Sequence, residues 1–113
     1  MSKPFEELAG LDKLIHEPAR LAIMTALSAC SSADFTFLLQ LTGLTRGNLS
    51  SHLAKLEQAG QVTIEKRFVA RMPNTLVSLT DAGREAIEHH WQLLESLRKG
   101  AREIDFKDQP TSG

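Results

Sequence analysis

The stretch LTGLTRGNLSSHLAKLEQAG, residues 41–60, decides how the rest of the chain is read. Gly43 with Leu44 marks a tight turn, because glycine takes a positive φ without steric cost. Thr45 then stands where a hydroxyl can cap a new helix, which runs to about Ala59 before Gly60 ends it. Leu49, Leu53 and Leu56 recur at i, i+4 and i+7, so they form one buried stripe. Stepping about 100° per residue, the side opposite that stripe collects Gly47, Ser51, Ala54 and Gln58, with Asn48 and Lys55 on one flank and Ser50 on the other. The outer face is therefore small and polar.

Upstream, Phe5, Leu8, Ala9, Leu11, Leu14 and Ile15 recur at spacings of three and four, which predicts an amphipathic helix. Pro18 stops it and suits the first turn of the next helix, which carries Leu21, Ala22, Met24, Ala26 and Leu27 to about Ala29. After the polar run Ser28 to Ser32, Thr36 is expected to cap a brief helix over Phe37 to Thr42. Downstream, the period changes to two: Val62 and Ile64 alternate with Thr63 and Glu65, which predicts a strand. A loop is expected over Val69 to Asn74, with a returning strand over Thr75 to Leu79. Thr80 and Asp81 cap a last helix through Ala86, Ile87, Trp91, Leu94 and Leu97. The expected organisation is one domain over 1–104, with the polar-faced helix at about 45–59, a hairpin at about 61–79, a final helix at about 80–100 and a flexible tail, 105–113.

At 113 residues and 12.5 kDa, with 42% hydrophobic and 24% charged residues, the chain suits a single core and excludes wholesale disorder. No apolar run reaches the roughly 18 to 20 residues that a membrane-spanning helix needs. The start MSKPFEELAG has two acids and no apolar core, so neither a secretory signal nor a transit peptide is expected, and the cytoplasm is the expected location. A single cysteine, Cys30, fits a reducing compartment. Net charge is −1, yet residues 45–72 carry +3 and the remainder −4. Net positive charge is confined to the polar-faced helix and the hairpin after it.

A short helix, a glycine turn and a second helix with one apolar stripe make a helix-turn-helix, and the hairpin makes it winged. The expected fold is mainly α with a small β-hairpin. Its natural partner is double-stranded DNA. Asn48 can read adenine, Lys55 can meet a phosphate or guanine, Ser50 and Ser51 permit close approach, and Arg46 sits where free backbone N–H groups also favour a phosphate. Lys66, Arg67 and Arg71 on the hairpin supply a second contact, with Arg71 the candidate for the minor groove.

The runs LDKLIHEPARLAIMTAL, LTGLTRGNLSSHLAKLEQAG and FVARMPNTLVSLTDAGREAI, in that order, resemble the small winged-helix transcriptional regulators related to the MarR and ArsR groups. The likeness covers roughly residues 11–100. It implies a dimeric, sequence-specific DNA-binding regulator, usually a repressor. Carried over by position, it places recognition contacts at Arg46, Asn48, Ser50, Ser51 and Lys55 and a wing contact at Arg71; many relatives have proline where this chain has Arg46.

A domain reading one half-site gains specificity by pairing, so a homodimer on a pseudo-palindromic operator is expected. The final helix is longer than one small core requires, and Ile87, Trp91, Leu94 and Leu97 are expected to form the dimer seam with Leu8, Leu11 and Ile15. The third helix, with Phe37, Leu38, Leu39 and Leu41, is apolar nearly all round, so Phe37 or Leu39 is expected either under the partner or in an effector pocket; no particular effector is assigned. Two other readings are weighed: a protein-binding adaptor and a metal or redox sensor of the ArsR kind. Cationic patterning speaks against the first. Against the second, Cys30, His16, His52, His89 and His90 include no pair spaced i, i+4, so no metal site or cofactor is expected. No nucleophile stands at a recognisable spacing from a base, so no enzymatic activity is expected.

Overall fold

The computed structural model describes residues 12–103. Within them lie α1 (Pro18–Ser28), β1 (Ala33–Asp34), α2 (Phe35–Thr42), α3 (Arg46–Gln58), β2 (Val62–Val69), β3 (Met72–Leu79) and α4 (Asp81–Glu103). Most of the helix expected over Phe5 to Ile15, including Leu8 and Leu11, and the tail 105–113 lie outside the described residues. The last residues of that expected helix form a turn in which the Ile15 and His16 backbone N–H groups both donate to the Asp12 carbonyl.

Each helix start has a chemical cause. Pro18 occupies the first turn of α1, and the Glu17 carboxylate accepts from the Arg20 N–H at 2.9 Å. Partial burial raises the Glu17 pKa, but the Arg20 and Ala19 N–H groups, with the attraction of His52 and Arg20, outweigh it and hold the carboxyl below its ordinary value. Asp34, not Thr36, caps α2: its carboxylate accepts from the Phe37 N–H at 2.7 Å, and the helix has already begun at Phe35. Asp34 can do this because its backbone is extended, with ψ at 165°, and paired in β1. Gly43 closes α2 at φ 68°, its N–H donating to the Leu39 carbonyl, and Thr45 caps α3 by accepting from the Asn48 N–H at 3.1 Å. The turn between α2 and α3 is thus built as its residues predict.

The sheet is larger than a hairpin. Its antiparallel order is β1-β3-β2, with Ala33 opposite Val77 and Asp34 opposite Leu76, so the α1–α2 connection is tied to the wing. Leu49, Leu53 and Leu56 of α3 are buried in one cluster with Ile23, Met24, Leu27, Leu38, Val62, Val77 and Ile87. Fully burying a leucine is worth about 1.5–3 kcal/mol, so this stripe sets how α3 rolls and leaves its other face outward.

α4 is anchored at its start. The Thr80 hydroxyl donates to the Gly60 carbonyl at 2.6 Å and accepts from the Gly83 N–H at 2.9 Å, while the Thr80 N–H donates to the Gln61 carbonyl at 3.0 Å. Further along, Trp91 Nε1 donates to Thr25 Oγ1 at 3.0 Å, and His90, 2% exposed, places Nε2 3.2 Å from His16 Nδ1. Burial lowers the His90 pKa, the neighbouring His16 and His89 lower it further, and Asp12 opposes them. Above about pH 6.5 both folded and unfolded chains hold this ring neutral; below it the unfolded chain takes the proton first. Stability is therefore expected to fall on acidification below about pH 6.5 and to level off once the folded ring also titrates. In thermal melts between pH 8 and 5, His90→Leu should lose less than the wild type; equal losses would refute the assignment.

Candidate nucleic-acid interface

Gly47, Asn48, Ser50, Ser51, Ala54, Lys55 and Gln58 are all exposed on α3, while its leucine stripe is buried. The orientation follows from the stripe, since side chains about half a turn round the helix must face away from the core. His52, on the flank, is half-buried and hydrogen-bonded: Arg20 Nη1 lies 3.1 Å from His52 Nδ1, and Glu17 Oε2 lies 3.6 Å from the same nitrogen. Arg20 also donates through Nε to the Leu14 carbonyl, so one guanidinium joins the N-terminal turn, α1 and α3. By sequence alone His52 offers only a possible metal ligand. Its pairing with Arg20 depends on a helix crossing that no local pattern encodes.

The outward side of α3 divides in two. Arg46, Ser50, Ala54 and Glu57 turn toward the hairpin and, with Phe35, Leu53, Ile64, Lys66 and Thr75, line a recess of about 590 Å³. The Arg46 guanidinium carbon lies 5.8 Å from the centre of the Phe35 ring, which holds that cation at the rim. Asn48, Ser51 and Lys55 point away from the recess into solvent.

The wing is longer and its turn tighter than expected. Pairing continues from Val62↔Leu79 to Val69↔Met72, so the segment read as a loop over Val69 to Asn74 is mostly strand around a two-residue turn. That turn is Ala70–Arg71, with φ at 51° and 68°; two successive positive φ values match the twist of a hairpin. Pro73 fits inside β3 because Val69–Met72 closes the turn as a hydrogen-bonded pair, which makes Phe68–Pro73 a non-hydrogen-bonded pair needing no donor from proline. Alternation puts Val62, Ile64, Lys66 and Phe68 on the face toward α3, and Thr63, Glu65, Arg67 and Val69 on the other. Of the three predicted wing cations, Lys66 faces the recess, Arg67 lies on the outer face with Nε donating to Asn74 Oδ1 at 3.1 Å, and Arg71 stands at the tip.

Among the described residues the ion pairs are His52–Glu17 and Arg98–Glu95, so Arg46, Lys55, Lys66 and Arg71 keep their charges unneutralised. Cys30 is half-buried against the core, with Sγ donating to the Ala26 carbonyl at 3.3 Å. No three His, Cys, Asp or Glu side chains converge on a point among the described residues.

The predicted dimer residues separate by burial. Ile15 and Ile87 are 2% and 0% exposed within one chain, so they belong to the protomer's own core. Burial in α4 ends at His90; beyond it Trp91 is 42% exposed, and Leu94 and Leu97 are partly so. An apolar groove of about 520 Å³ runs beside Trp91, lined also by Leu21, Thr25 and Leu41. In α2, Leu39 packs against the core while Phe37 stays exposed.

Known proteins share this architecture. The family described as the winged helix DNA-binding domain matches residues 19–98. An uncharacterized protein of Methanocaldococcus jannaschii, MJ0432, is 31% identical over 87 residues, covering 77% of this chain and 95% of that one. The solved structure of a transcriptional regulator homologue from Pyrococcus horikoshii OT3 superposes with a TM-score of 0.74 at 31% identity, covering 93% of this chain and all of that one. A transcriptional regulator of the MarR family from Enterococcus faecalis V583 gives a TM-score of 0.71 at 21% identity over 91% of this chain and 92% of that one, a likeness of fold.

Proposed function

We propose, given that the chain belongs to the winged helix DNA-binding domain family, that it is a cytoplasmic repressor which binds a pseudo-palindromic operator as a homodimer. The observation that carries this reading is α3 itself: a small polar face turned outward by a buried leucine stripe, beside a recess flanked by the unpaired cations Arg46 and Lys66. Asn48, Ser51 and Lys55 read base edges in the major groove, while Arg46, Ser50 and Lys66 hold the adjacent sugar-phosphate strand. Arg71 reaches the minor groove beyond it. Arg67 meets a phosphate from the outer face or orders the wing through Asn74.

Pairing is supported by α4. Its 23 residues span about 35 Å, and the half beyond His90 carries Trp91, 42% exposed beside an apolar groove, with Leu94 and Leu97 partly exposed. A second copy covers them and sets two α3 helices one turn of DNA apart. A dimer seated over a promoter then excludes polymerase.

The test begins with selection of bound duplexes from a random pool, where an inverted repeat should be enriched. On the selected site, Asn48→Ala is expected to lower discrimination against random DNA about 5- to 100-fold per half-site, whereas Lys66→Ala should weaken both and flatten the salt slope by about one per half-site, about two for the dimer. No enrichment, or binding without salt dependence, would overturn the reading.

A further inference from the structure

The wing tip is apolar where a purely electrostatic wing would be charged. Phe68 is 77% exposed, Met72 67% and Val69 49%, grouped around the Ala70–Arg71 turn. Exposed aromatic surface at a hairpin tip gains nothing for this fold, because neither strand is covered there. Phe68 and Pro73 are cross-strand partners and lie on the same face as Lys66, Thr75 and Ile64, the face that lines the recess against α3. They extend that face outward, past the last cation of the recess and toward Arg71 at the tip.

We infer that Phe68, backed by Pro73, is an apolar wedge that packs against the deoxyribose walls and base edges of the minor groove flanking each half-site, so that the wing reads DNA deformability as well as charge. The inference rests on the operator-binding reading above. Three observations choose duplex DNA as the occupant. Phe68 and Pro73 follow Lys66 and Thr75 along the strand face that lines the recess with Arg46; their charged neighbours on the hairpin are Lys66, Arg67 and Arg71 against the single acid Glu65; and the tip is narrow, two strands joined by two residues. An acidic or purely apolar protein surface would match only part of that set. Apolar side chains inserted at a minor groove partly unstack base steps, which costs least at flexible pyrimidine–purine steps. A contact of this kind adds affinity without releasing counterions, so it is separable from the cations beside it.

Fluorescence anisotropy on the selected operator, titrated from low to high salt, separates the two. Phe68→Ala is expected to weaken binding at least about tenfold with the salt slope unchanged, whereas Arg71→Ala should lower the slope by about one per half-site, about two for the dimer. Phe68→Leu should recover part of the loss. Repeating the duplex selection with Phe68→Ala should erase any preference for pyrimidine–purine steps outside the half-sites while leaving the half-sites themselves enriched. Because Phe68 touches solvent on most of its surface, its substitution should not move the melting temperature, and a melt confirms that each variant is folded. Wild-type-like affinity and flanking preference in Phe68→Ala overturns the wedge, as does a change in oligomeric state with DNA binding intact, which would assign the tip to self-association. Failure of the wild type to bind any duplex would instead sink the operator reading itself.

Discussion

Gly83→Ala is expected to destabilise the fold by at least about 2 kcal/mol, with a drop in melting temperature on the order of 10 °C. A Cβ at this position would stand 2.0 Å from the Gln61 carbonyl oxygen, 2.9 Å from its carbon and 3.2 Å from Gln61 Cα. These are backbone atoms and cannot swing aside. The Gln61 carbonyl accepts from the Thr80 N–H, and the Gln61 N–H donates to the Leu56 carbonyl at 2.9 Å, so displacing Gln61 loosens the end of α3 and the start of α4 together. Alanine's better helix propensity offsets about 1 kcal/mol, which is less than overpacking against fixed backbone costs. Gly47→Ala is the control: nothing lies within 4 Å of its Cβ, and the same propensity gain is expected to leave stability unchanged or slightly raised. Urea or thermal unfolding of the two variants decides the matter. A Gly83→Ala melt within a degree or two of the wild type would show that the α3–β2 corner yields freely.

What could be read from the chain, and what could not, divides by the range of the interaction. The Gly43 turn, the Thr45 cap and the Leu49, Leu53, Leu56 stripe depend on neighbours within a few residues, and all three stand where periodicity and capping rules place them. Asp34 displaced Thr36 as the α2 cap because β1 pairs with β3 and holds Asp34 extended, a contact between residues more than forty positions apart. The wing's length is hidden from the sequence for a related reason: Pro73 predicts a loop, but proline costs nothing at a non-hydrogen-bonded position, and that register follows only from the turn at Ala70–Arg71. Thr80 is legible as a cap from its position before α4, whereas its clamping of Gly60 and Gln61, with Gly83 making room, depends on how α4 meets the end of α3. Within the interface, the outward placement of Asn48, Ser51 and Lys55 followed from the helical wheel, whereas the sharing of one recess by Ser50, Arg46 and Lys66 required the hairpin's angle against α3. Ile15 and Ile87 show the opposite limit, since an apolar stripe states that a helix face is covered without saying whether its own chain or a partner covers it.

Ser51→Glu is expected to abolish operator binding while leaving the fold intact. Ser51 is exposed at the centre of the face opposite the leucine stripe and well inside α3, where it caps nothing. Glutamate is the better helix former, so stability should change by no more than about 0.5 kcal/mol. In the bound state the new carboxylate would enter a groove walled by one phosphate charge per roughly 1.7 Å of duplex and lose its water there. Like-charge juxtaposition of this kind costs several kcal/mol, which amounts to at least about a hundredfold per half-site. Ser51→Ala removes only a small hydroxyl and should stay within a few-fold of the wild type, which separates the charge from mere loss of serine. A homodimer carries the penalty twice, so the loss for Ser51→Glu on both subunits should approach the square of the single-subunit loss. Mixed dimers of one wild-type and one Ser51→Glu subunit, isolated with two affinity tags, should therefore bind the operator with a free energy midway between the parents. If mixed dimers cannot be formed, or bind as tightly as the wild type, the paired use of α3 on two half-sites is wrong; if folded Ser51→Glu binds normally, α3 does not enter the groove by this face at all.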